Sequence, residues 1–91
     1  MNFPFKEEQI DQYNFIRTFS ADVDEMDLIW HADKEYRIFT VLEGNGWKFQ
    51  FDEELPVEMT EGKSISILKG VIHRVIKGNG PLVIKLQKNS L

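Results

Sequence analysis

The chain has 91 residues, a formal net charge of −4 and no cysteine. A chain of this length closes one core and no second one, and without cysteine it has neither a disulfide framework nor a thiolate metal site. Its 11 Lys and Arg are scattered, which excludes the clustered cationic surface that nucleic acid phosphates require.

Met1 to Ile10 carries Lys6, Glu7 and Glu8 and lacks the basic start and apolar run of a signal peptide. No apolar stretch reaches the length of a membrane helix, so the expected location is the cytoplasm, with no membrane partner. Residues 1–12 are expected to form an N-terminal arm packed on the domain or on a partner. A short helix over Lys6 to Gln12 is the alternative, and residues 13–91 are expected to form a single domain. A fold this small buries little of its surface, so a homodimer is the expected assembly.

From Tyr13 onward the apolar pattern has period two, the mark of half-buried strands. Tyr13, Phe15, Arg17 and Phe19 share one parity, and Ser20 to Asp24 reads as an acidic turn. Glu25 to His31 reads as a second strand, with Met26, Leu28 and Trp30 opposite Asp27, Ile29 and His31. Tyr36 to Leu42 is apolar on both parities apart from Arg37 and Thr40, which predicts a central strand covered on both faces. Trp47, Phe49 and Phe51 alternate with polar residues, Ile65 and Ile67 with serines, and Leu82, Ile84 and Leu86 with Val83, Lys85 and Gln87. Gly-Asn-Gly occurs at residues 44–46 and again at 78–80. Both triplets read as hairpin turns, because Gly and Asn tolerate the positive φ of tight turns. Roughly six to eight short antiparallel strands with no convincing helix predict an all-β barrel or sandwich.

The run WHADKEYRIFTVLEGNGWKFQF, followed by EGKSISILKGVIHRVIKGNG, resembles the two motifs of the cupin superfamily. The first motif is His-x-His, three or four residues, Glu, six residues, Gly. The second is Gly, five residues, Pro-x-Gly, two residues, His, three residues, Asn. Aligned on Gly44, the first motif places His31 at the first His, Asp33 at the second and Arg37 at the Glu. Aligned on Gly62, the second places Leu68 at the Pro, Gly70 at the Gly, His73 at the His and Lys77 at the Asn. The resemblance covers about the last two thirds of the chain, and it implies a small cupin-type β-barrel or jelly roll. It also implies that a divalent metal ion is the expected cofactor, since cupins commonly hold one with three histidines and a glutamate.

His31, Asp33, Glu35 and Arg37 share one parity on an unbroken strand. Facing inward, His31 and His73 with a carboxylate from Asp33 or Glu35 form a two-His, one-carboxylate set suited to iron, manganese, nickel or zinc. Arg37 works against a cation in the Glu position but suits a carboxylate or phosphate. Phe39, Trp47 and Phe49 are expected to line the pocket with Arg37 and Lys77, and a small molecule is the expected partner.

The leading expectation is therefore a barrel binding a metal ion, a small polar ligand, or both. If it turns over a substrate, the resemblance implies oxygenase, isomerase or lyase chemistry on a small organic acid or sugar. No catalytic residue is assigned, and no nucleophile arrangement is visible. Two alternatives stand beside it: a metal-free module in which Arg37, Lys77 and His73 recognise an anionic or sugar ligand, and a non-catalytic dimeric interaction barrel.

Overall fold

The computed structural model describes residues 3–89. Its strands are β1 (Lys6–Gln9), β2 (Asn14–Phe19), β3 (Tyr36–Asn45), β4 (Lys48–Phe51), β5 (Val57–Glu58), β6 (Ser64–Ile67), β7 (His73–Ile76) and β8 (Asn79–Asn89). They form a five-stranded sheet in the order β1-β2-β8-β3-β6 and a three-stranded sheet in the order β5-β4-β7. Every pairing is antiparallel, so the all-β fold expected from the period-two pattern forms, as the jelly roll that the resemblance implies.

The alternation decides which side chains meet between the sheets. Phe19, Phe39, Val41, Ile67, Leu82, Ile84 and Leu86 from the larger sheet pack against Trp47 and Phe49, and Val23 and Met59 close the ends. Trp47 is fully buried, and its indole Nε1 donates to the Gly80 carbonyl at 3.1 Å. That bond satisfies a polar atom that would otherwise be costly in the core.

Four local expectations are corrected. Glu25–Asp27 is a 3-10 turn, not part of a strand. Asp24 caps it by accepting from the Met26 amide, and the Asp27 and Leu28 amides bond back to Asp24 and Glu25. An Asp cap offers the backbone a local alternative to a sheet ladder, so the alternation there marks sides of a loop; Met26 and Ile29 are exposed.

The Gly-Asn-Gly triplets are corners, not hairpins. The first carries the chain from β3 in one sheet to β4 in the other, and the second carries it from β7 back to β8. The positive φ falls on the last glycine of each, 75° at Gly46 and 69° at Gly80. β3 is an interior strand beside the central β8, and only one of its faces is covered by the core; Leu42 on the other is exposed. The segment Lys6–Gln9 is an edge strand, not a helix, because its backbone finds partners along β2 from Phe15 to Thr18.

Glu7 fastens that edge strand. Its Oε1 lies 2.7 Å from Arg17 Nη2, and its Oε2 lies 3.0 Å from Lys88 Nζ. Burial pushes the Glu7 carboxyl up, but the charges and hydrogen bonds of Arg17 and Lys88 outweigh it and hold it below the usual 4.5. A carboxyl depressed in the folded state contributes stability above its unfolded pKa and loses it as pH falls through the folded one. Glu7→Gln is therefore expected to lower the melting temperature by a few degrees at pH 7, with the gap to the parent closing below about pH 4. Thermal melts from pH 7 to 3 check this, and a constant gap across that range contradicts it.

Candidate metal centre

Two backbone devices bring the histidines together. His31 lies outside the named strands but forms an antiparallel bridge with His73 at the start of β7. The His31 amide donates to the His73 carbonyl at 3.0 Å, and the His73 amide returns the bond at 2.9 Å. Directly paired residues project to the same face of a sheet, and the two rings pack with centroids 4.3 Å apart. The chain then bends, and the Asp33 carbonyl accepts from the Gly70 amide at 3.0 Å. This bond fixes Asp33 beside the pair.

The ring orientation is fixed from behind. His31 Nδ1 lies 3.0 Å from the Ile29 carbonyl, and His73 Nδ1 lies 2.9 Å from the Val71 carbonyl. A carbonyl only accepts, so in each neutral imidazole Nδ1 carries the hydrogen and Nε2 presents a lone pair. Those Nε2 atoms face one carboxylate: His73 Nε2 is 3.4 Å from Asp33 Oδ2, and His31 Nε2 is 3.8 Å from Asp33 Oδ1. Burial pushes the His73 pKa below 6.5, helped by the neighbouring His31 and opposed by the hydrogen bond to Val71, which keeps the ring neutral at pH 7.

Two lone pairs and a carboxylate thus converge, with donor atoms all within 4.8 Å of one another. Asp33 and His73 are buried, and Asp33 Oδ2 has no hydrogen-bond partner among the described residues. A buried orphan oxygen is costly. An ion accepting all three atoms removes that cost, so the donor set fits a divalent metal, and each histidine is oriented through its other nitrogen as metal-binding histidines usually are.

Arg37 on β3 flanks the group without closing it. Its Nη1 is 3.3 Å from Asp33 Oδ1, while Nε and Nη2 hold Glu35 Oε1 at 2.9 and 2.7 Å. The guanidinium therefore steadies one oxygen of Asp33 and leaves the other. Glu35 is drawn to Arg37 and stands outside the three-residue group, because the bend after His31 breaks the parity expected of an unbroken strand.

Beside His31 and Asp33 opens a cleft of about 800 Å³, and the group also borders a smaller cavity of about 50 Å³ that His73 lines. His31, Asp33, Arg37 and Arg17 border both. Phe39 and Phe49 line the inner cavity. Two residues expected in the pocket are elsewhere. Trp47 is core, held there by its bond to Gly80. Lys77 donates to the Val23 carbonyl at 2.8 Å and so ties the loop before the 3-10 turn to the barrel.

No family model and no curated protein matches the sequence. Solved structures do match. A cupin-2 domain protein from Shewanella frigidimarina superposes with a TM-score of 0.70 at 16% identity, over 98% of this chain and 85% of that one. A DMSP lyase superposes at 0.71 and 12% identity over 85% of this chain, and HppE with Fe(II) at 0.64 and 18% over 84%. The chain has a cupin fold. It spans only 37% of the DMSP lyase chain and 41% of the HppE chain, so it corresponds to less than half of either.

In this fold the frame glycines Gly62 and Gly70 have φ of 86° and 81°, the left-handed backbone that favours glycine. The charged cleft residues not anticipated from the sequence include Arg17 and its partner Glu7. Arg17 carries a visible signal, since it is the one charged residue on the inward parity of Phe15 and Phe19 in β2. Glu7 carries none, because only the pairing of β1 with β2 places it opposite Arg17.

Proposed function

We propose that this cupin is a metal-binding protein that holds one divalent ion through His31, Asp33 and His73 and presents it to a small molecule in the cleft. The observation that carries this reading is the orphaned Oδ2 of Asp33, 3.4 Å from the His73 Nε2 lone pair, in a carboxylate whose Oδ1 lies 3.8 Å from His31 Nε2. A two-His, one-carboxylate set on one side of an ion leaves coordination positions open, and an ion held so supplies Lewis-acid or redox chemistry there.

The chain's own residues do the rest. Ile29 and Val71 carbonyls orient the imidazoles, Arg37 fixes the Asp33 carboxylate, and Phe39 and Phe49 keep the inner side of the site apolar. HppE, solved with Fe(II) and with Co(II), makes iron the first ion to try on this fold. The metal-free alternative loses support because its two cations are committed, Arg37 to Glu35 and Asp33 and Lys77 to a backbone carbonyl.

The test is metal uptake. Protein stripped with chelator, then offered iron(II), manganese, nickel or zinc in turn and desalted, is expected to retain close to one equivalent of at least one of them. At a free concentration 100 times Kd, the ion should add ~2.7 kcal/mol of stability, which is on the order of 10–20 °C in melting temperature for a domain of this size. Retention of none, with no change in melting temperature, refutes the proposal.

A further inference from the structure

We infer that the cleft takes a small organic anion with an apolar body, its carboxylate or phosphonate head bound by Arg17. The inference rests on the metal reading for its full strength, though not for its direction. Arg17 projects from β2 toward the interior, bordering both the cleft and the cavity, among Phe19, Ile84 and Leu86. An apolar residue there would extend the core at no electrostatic cost, whereas burial pushes the Arg17 pKa down and Glu7 only partly restores it.

The guanidinium is also built to stay in place. The Phe5 ring lies 3.8 Å from its Cζ, and both contacts to Glu7, from Nε and Nη2, go to one oxygen. Nη1 takes part in neither. A guanidinium fixed on one side with donors to spare on the other is the arrangement that recognises carboxylate or phosphonate oxygens.

Charge and shape agree. Glu7, Asp27 and Asp33 line the cleft against Arg17, Arg37 and Lys88, and Glu35 neutralises Arg37 from just outside it, so the metal-free site is close to neutral and a divalent ion turns it net positive. An anion is then the complementary ligand. The walls beyond Arg17 are Phe5, Leu28 and Ile29, and Ile29 is 64% exposed, apolar surface suited to a hydrocarbon or aromatic body.

Hexanoate, hexylphosphonate, hexanol and acetate serve as probes, titrated by calorimetry into metal-free protein and into the same protein after zinc loading, with zinc content measured in each sample. One or both six-carbon anions are expected to bind about tenfold or more tighter than hexanol, as a hydrogen bond to a charged group implies. Acetate should bind more weakly by about fourfold for each methylene that the longer anion buries. The preference should vanish in Arg17→Gln and survive in part in Arg17→Lys. Met26→Asp, at a cleft position that is 84% exposed and has no part in the metal site, should weaken both anions without changing zinc content.

Which anion binds identifies the head group. Hexanol binding as well as the anions, a preference unchanged in Arg17→Gln, or anion affinity unchanged in Met26→Asp, overturns the inference even where zinc is retained. Lack of retention of iron(II), manganese, nickel and zinc alike, with the Arg17-dependent preference intact in the metal-free protein, overturns the metal reading alone.

Discussion

Asp33→Asn is expected to cut metal affinity by more than about 100-fold, beyond the 10–100-fold typical of residues that merely orient a ligand. It should also erase the metal-induced rise in melting temperature. Asp33 supplies the only negative charge among the three converging residues, and its Oδ2 is the atom left without a partner. The neutral amide keeps the shape and still accepts from Arg37 at the Oδ1 position, so the fold has no reason to fail. The sign of the stability change separates a ligand from a structural residue. In excess chelator the Asn variant should be as stable as the parent or more so, because a buried carboxylate with an orphan oxygen has been removed. In excess metal it should be the less stable of the two by roughly 3–4 kcal/mol. Urea midpoints under the two conditions decide the matter. An equal loss of stability in both would assign Asp33 a structural role through Arg37 and leave the metal reading without its anion.

His73 and the alternation of Trp47, Phe49, Leu82, Ile84 and Leu86 were legible because the information is local: period two fixes a face, and a face fixes burial. Failures of sequence reading fall where a long-range partner decides. The segment Glu25–Asp27 has strand-like alternation but no strand beside it, and the capping carboxylate of Asp24 wins its amides. Glu35 shares a parity with Asp33, yet a bend and the pull of Arg37 separate them. Lys77 sits at a motif position and still turns to the Val23 carbonyl. Arg37 is the instructive case. Its charge at a ligand position argues against a metal when read alone, but the ion pairs to Glu35 and Asp33 absorb that charge and leave the second oxygen of Asp33 available.

Gly78→Ala is expected to cost roughly 3 kcal/mol or more, above the usual range for an overpacked site, because the obstacle is backbone. A Cβ at Gly78 would overlap Asn45 O, Gly46 C and Trp47 N, the corner formed by the other Gly-Asn-Gly triplet. The two triplets therefore pack directly on each other, with Asn45 paired to Asn79 in the sheet register. That contact sets the angle at which β4 leaves β3 and β8 leaves β7, and so the position of Trp47 at the centre of the core and of the indole bond to Gly80. Gly80→Ala is the matched control. Its Cβ would meet nothing within 4 Å, and the substitution carries only the cost of a left-handed φ of 69°, about 1–2 kcal/mol. With total stability for small domains commonly about 5–15 kcal/mol, urea denaturation should show Gly80→Ala folded with a lowered midpoint and Gly78→Ala largely unfolded or shifted by several times as much. Equal shifts for the two would mean that the corners tolerate separation, and that the barrel does not depend on their contact for its closure.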